Sequence, residues 1–182
     1  MTRRWVLVLS FAIAWGCGGS APTSPTPSQS DRTFLLFTAD AGFGLRPGQS
    51  VELTPDNATF SGFGRIFGAG RTNSVQVTAQ DATGATWGLW LAAPPDQQLV
   101  AGRYANAVNA TSRAPQAPGL TFWNTKFAGC PPATGEFTVV EAALTGSVIN
   151  RLQATFEQRC VVNGQTISAV RGELNIPRPL QQ

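Results

Sequence analysis

The chain is 182 residues long, with 42% hydrophobic and 13% charged side chains and no histidine. The lack of histidine excludes Ser-His-Asp and Cys-His nucleophiles and His-ligated metal chemistry. The formal charge of +3 includes Arg3 and Arg4; without them eleven basic side chains stand against ten acidic ones, and no basic run or stripe argues for nucleic acid as a partner.

The first segment in chain order is a leader. Arg3 and Arg4 precede an apolar run from Trp5 to Trp15, which ends at Gly16-Cys17. That run is about half of the ~20 residues needed to cross a bilayer as a helix, so 1–16 reads as a cleaved lipoprotein signal peptide with Cys17 as the lipid attachment site. The expected product is exported, acylated on Cys17 (palmitate among its fatty acids) and anchored by that lipid to a membrane of the bacterial cell envelope, periplasmic or at the cell surface. Residues 17–31 are small, polar and proline-rich. Such a composition cannot bury a core and serves as a flexible tether.

The cysteines are Cys17, Cys130 and Cys160. Acylation of Cys17 leaves Cys130 and Cys160 as an even pair in an oxidising compartment, where a disulfide is expected, with two buried free thiols as the alternative. Metal and cofactor sites are not expected. The chain has no C-x-x-C spacing, and Asp40, Asp56, Asp81 and Asp96 are isolated rather than arranged as a calcium loop.

From residue 32 to 177 the sequence reads as one domain, followed by a tail at 178–182. Stretches at 33–39, 49–54, 58–63, 74–80, 85–93, 120–124, 135–144, 147–158 and 165–176 are rich in Val, Ile, Thr, Phe and Trp, with Gly, Pro, Asn and Asp between them. This spacing predicts an all-β domain of about eight to ten strands, an antiparallel sandwich of jelly-roll or Ig-like type. The glycine-rich stretch 63–70 lacks a following Lys-Ser/Thr and is no phosphate cradle, and 63–73 reads as a long loop. The stretch 105–118 reads as a second long loop.

Side-chain alternation assigns faces. Val75, Val77 and Ala79 should point inward, as should Trp87, Leu89 and Leu91, and in the eighth stretch Val148, Leu152, Ala154 and Phe156. By the same parity Trp90 and Trp123 point outward. Ala82-Thr83-Gly84 and Asn163-Gly164 supply hairpin turns.

The C-terminal third carries Gly129-Cys130, then Thr134-Gly135-Glu136-Phe137-Thr138-Val139, then Ala154-Thr155-Phe156-Glu157-Gln158-Arg159-Cys160. This pattern resembles a family of exported bacterial β-sandwich domains in which a cysteine after a glycine precedes a T-G-x-F-x-V strand and a second cysteine ends an A-x-F-x-Q strand. The resemblance extends over roughly 37–176. Arg159 and Trp90 depart from it, standing where the family often has His and a polar residue. The family has no settled activity, so the resemblance implies a disulfide-linked sandwich and carries over no catalytic or binding residue.

Two constellations remain for function. Outward tryptophans can stack on the C–H faces of sugars, which makes Trp90 and Trp123 the candidate ligand-binding residues. Glu136, Glu141, Glu157 and Glu173 lie on neighbouring C-terminal strands, and glycoside hydrolysis needs two carboxyls ~5–10 Å apart; glutamates so placed also pair commonly with arginines such as Arg151 and Arg171. The expected function is therefore that of a binding or structural envelope module, with glycan as the favoured ligand and no catalytic residue. The alternatives are a carboxylate-based glycan hydrolase and a scaffold or inhibitor-like partner of another envelope protein.

Overall fold

The computed structural model describes residues 31–40, 43–67, 71–111, 116–126, 130 and 133–180. Cys17 and its tether lie outside the described residues. Among these residues there is no helix. Ten strands are formed: β1 (Phe34–Ala39), β2 (Gln49–Leu53), β3 (Ala58–Phe67), β4 (Arg71–Asp81), β5 (Thr86–Ala92), β6 (Gly102–Val108), β7 (Gly119–Asn124), β8 (Ala133–Thr145), β9 (Val148–Val162) and β10 (Gln165–Ile176).

The strands join in one continuous sheet of order β2-β1-β10-β9-β8-β6-β7-β5-β4-β3, curled into a nearly closed, barrel-like shape. The all-β class, the strand number and the disulfide agree with expectation. The expected division into two antiparallel sheets is not found: β6 and β7 pair in parallel, through Val108 and Gly119, and so link the two walls into a single mixed sheet. The gap beside this short ladder is filled by a side chain. Gln158 of β9 is buried; its Oε1 accepts the Phe122 N–H at 2.6 Å and its Nε2 donates to the Phe122 carbonyl at 3.2 Å, acting as a strand partner for β7.

The free end of the sheet is tied across. The Gly64 N–H donates to the Ser147 carbonyl at 2.7 Å, and Thr72 Oγ1 donates to the Gly146 carbonyl at 2.7 Å, holding the β3–β4 edge against the β8–β9 turn.

Facing walls meet in an aromatic core. Phe37 of β1 lies 4.7 Å from Trp87 of β5 and 4.8 Å from Phe122 of β7, and Phe122 lies 5.4 Å from Phe156 of β9, centroid to centroid. Such pairs contribute about 0.5–1.5 kcal/mol each beyond their burial. Val75, Val77, Ala79, Trp87, Leu89 and Leu91 are buried as alternation predicts.

Three expectations are corrected. Residues 63–67 and 71–73 are strand, not loop. Glycine interrupts the pattern at 62 because that position faces inward, where a Cβ would meet Ile149 Cδ1 and Leu180 Cδ1 at 3.2 Å; the glycine serves packing rather than a turn. The assumed loop at 105–118 begins inside β6, which the sequence disguises with alanines and with Asn106 at φ 55°. In β9 Ile149 is buried and Val148 is 36% exposed, the reverse of the expectation. Ala143 and Leu144 of β8 face Arg151 and Ile149, so Asn150 is an extra residue, and this bulge inverts parity before it.

Cys130 and Cys160 form a disulfide with Cα atoms 5.2 Å apart. It pins Cys130, three residues ahead of the start of β8, to the C-terminal part of β9, beside the Ala133–Cys160 register pair.

Candidate ligand-binding face

Trp90 and Trp123 come together on the outer surface of the β3-β4-β5-β7 wall. Strand register arranges this surface in rows. One row runs Phe63, Gln76, Trp90, Thr121, and the next runs Ser61, Thr78, Gly88, Trp123. The two tryptophans are therefore diagonal neighbours on adjacent strands, within reach of long side chains across one sheet face.

Gly88 seats Trp123. A Cβ at position 88 would fall among Cζ2, Cε2 and Cη2 of the indole, so the ring lies directly on the backbone of β5. Only glycine leaves that space. Trp123 is half-buried as a result, one side resting on the sheet.

Trp90 is also half-buried, and Arg65 covers it. The Arg65 guanidinium carbon sits 4.5 Å from the Trp90 ring centroid and 5.7 Å from that of Phe63, within cation–π range of both. Trp90 Nε1 and the neighbouring Ser74 Oγ are shielded from solvent and pair with no group among the described residues. Phe63 and Arg65 fall in the stretch read from sequence as a loop, which is why neither entered the sequence-based site. Gly88 carries no chemistry of its own, and its role shows only once β7 is set beside β5.

The glutamates assemble on the opposite wall. Glu136 and Glu157 face each other directly across β8 and β9. Arg103 pairs with Glu136 at 2.6 Å; Glu157 is held by Arg159 at 2.6 Å and by Arg171 at 3.2 Å, and Arg171 reaches Asp40 at 3.4 Å. A shallow groove of about 280 Å³ lies over Glu136, Thr138, Thr155, Glu157 and Arg171. Partial burial works to raise the Glu157 carboxyl, but its hydrogen bonds to Arg159 and Arg171 outweigh this and hold it below the ordinary glutamate value. Glu157 is thus ionised at neutral pH and has no proton to donate, the opposite of what a glycosidase acid requires. Glu141 pairs with Arg151 at 3.2 Å, away from this groove.

The exposed large apolar side chains outside the tryptophan wall, Leu36, Val100, Val140, Val148, Val162 and Ile167, are spread over β1, the segment before β6, β8, the two ends of β9, and β10. Single exposed apolar residues of this kind are ordinary surface. Among the described residues no group of three Cys, Asp or Glu side chains is placed to hold a metal ion.

No protein-family model matches this chain, and no curated protein or solved structure matches it.

Proposed function

We propose that this chain is an exported lipoprotein of the bacterial cell envelope, anchored through Cys17, whose β3-β4-β5-β7 wall binds a glycan by stacking. The observation that carries the reading is the indole of Trp123 lying on the β5 backbone at Gly88, with Trp90 diagonal to it. A flat aromatic surface on a rigid sheet suits the C–H face of a pyranose. The arginine-paired glutamates of the other wall act as a surface ion-pair network in this reading, and the tether at 17–31 spaces the domain from the membrane.

The test is calorimetric titration of the purified full chain with a panel of soluble oligosaccharides and peptidoglycan fragments. Stacking contributes on the order of 1 kcal/mol, so Trp123→Ala should weaken binding about fivefold, and Trp90→Ala, which removes the ring diagonal to it and the seat of Arg65, should weaken it as well. Absence of binding across the panel, or binding indifferent to both substitutions, defeats the reading. The anchor is tested separately: Cys17→Ser should release the protein from membranes, and an unacylated wild-type Cys17 in mass spectra would refute it.

A further inference from the structure

We infer that the stacking wall is selective for an acidic glycan, with Arg65 as the residue that recognises its carboxylate. The inference rests on the platform reading above and adds the charge of the ligand to it.

The acidic residues are partitioned between the two walls. Glu52, Glu136, Glu141, Glu157 and Glu173 lie on β2, β8, β9 and β10, whereas β3, β5 and β7 contain no carboxylate at all. The single acid of β4 is its last residue, Asp81, which is committed to the following turn: its Oδ1 accepts the Thr83 N–H at 2.8 Å and the Ala85 N–H at 3.1 Å, and its Oδ2 accepts Trp87 Nε1 at 3.2 Å. Apart from Asp81 at its end, the aromatic wall therefore has no strand carboxylate to repel an anionic ligand.

Arg65 is the cation beside the tryptophans; the other cation of these strands, Arg71, is the first residue of β4. Arg103, Arg151, Arg159 and Arg171 each have a carboxylate partner, but Arg65 has none among the described residues and rests on rings instead. A guanidinium held by aromatic faces keeps its N–H donors, and its fork of donors matches a carboxylate in bidentate fashion. The indole also displaces water from one side of the cation, which strengthens its attraction for an anion.

Beneath the guanidinium, Ser74, the cross-strand partner of Arg65, and Trp90 each carry a polar atom shielded from solvent with no partner among the described residues. The exposed guanidinium is the charged group of this corner open to a ligand, and it suits an anionic acceptor.

The register also places the two groups. The Arg65 guanidinium lies over Trp90, one row from Trp123, and diagonal neighbours on adjacent strands are about 7–8 Å apart. The ligand therefore carries its acidic group close to the ring that stacks on Trp123.

The experiment compares the purified full chain with trigalacturonic acid and with neutral galactotriose, by titration calorimetry. Wild type should bind the acidic trimer at least about tenfold tighter, the scale of a charge-assisted hydrogen bond, and the ratio should shrink as salt is raised. Arg65→Gln should collapse the ratio towards one, through a loss of affinity for the acidic trimer. Trp123→Ala should weaken both trimers by the same factor and preserve the ratio. Because each ratio is taken within one variant, a loss of folded protein cannot imitate a change of preference. Equal wild-type affinity for both trimers with sensitivity to Trp123 overturns the acidic preference and keeps the platform. A preference that survives Arg65→Gln overturns the role of Arg65. Binding of neither trimer overturns the acidic preference, while the platform is decided by the panel above.

Discussion

Replacing Gly88 with alanine puts a methyl group where the Trp123 indole lies, and the outcome depends on whether that contact is a built seat. The added Cβ would overlap three atoms of the ring, so the indole must lift or slide. Overpacking of this kind costs about 1–3 kcal/mol, set against the ~0.5–1 kcal/mol by which alanine is favoured over glycine within a regular element. The net expectation is a loss of roughly 0–2.5 kcal/mol, up to a few degrees in Tm for a domain of this size. The decisive comparison is the cycle with Trp123→Ala, followed by urea unfolding and circular dichroism. With the ring removed, Gly88→Ala should become neutral or slightly stabilising, giving a coupling energy of about 1–3 kcal/mol between the two sites. The same perturbation should reduce glycan affinity in the presence of Trp123. An identical cost for Gly88→Ala in both backgrounds would refute the seat.

Three further outcomes follow from groups with defined partners. Burial tends to raise the Asp81 carboxyl, but hydrogen bonds from Thr83, Trp87 and Ala85 prevail and lower it from 3.8; its contribution is therefore complete above that unfolded value and is lost as pH falls through the lower folded one, so Asp81→Asn should flatten the rise of stability with pH seen in wild type below about pH 4. Reduction of Cys130–Cys160, 30 residues apart, should cost about 3.5 kcal/mol in urea unfolding, and both thiols should label only after reductant. Gln158→Leu strands the N–H and carbonyl of Phe122, at about 1–3 kcal/mol for each group, and should accelerate hydrogen exchange at that amide; unchanged exchange would show that another group satisfies it.

Strict alternation made part of this molecule legible in the sequence. In β4 and β5 the odd residues from Val75 to Ala79 and from Trp87 to Leu91 are apolar and buried, because over these residues both strands pair on either side without a register shift. Legibility ends where that regularity ends. Asn150 shifts the phase of β9, Asn106 bends β6, and Gly62 takes an inward position that pattern reading reserves for a large apolar residue. The direction of Trp90 and Trp123 followed from parity, but their partners did not. Gly88 and Arg65 act on them from other strands, and cross-strand contacts depend on register, which one strand's pattern does not encode. Gln158 shows the same limit, since its buried amide has a purpose only at a gap that topology creates.

The placement of the tryptophans bears on how well the wall could bind. β5 devotes alternate residues to two tasks: Trp87, Leu89 and Leu91 lock its inner side into the core, and Gly88 and Trp90 form its outer side. A slip of one residue would exchange those faces, so the same packing that stabilises the domain also fixes the register that aligns Gly88 with Trp123. The platform therefore rests on elements held rigid by core contacts such as the 4.7 Å approach of Phe37 to Trp87. A ligand meeting such a surface need not order the backbone beneath it, and the entropy of that ordering, which weakens many loop-borne sites, is already met by folding.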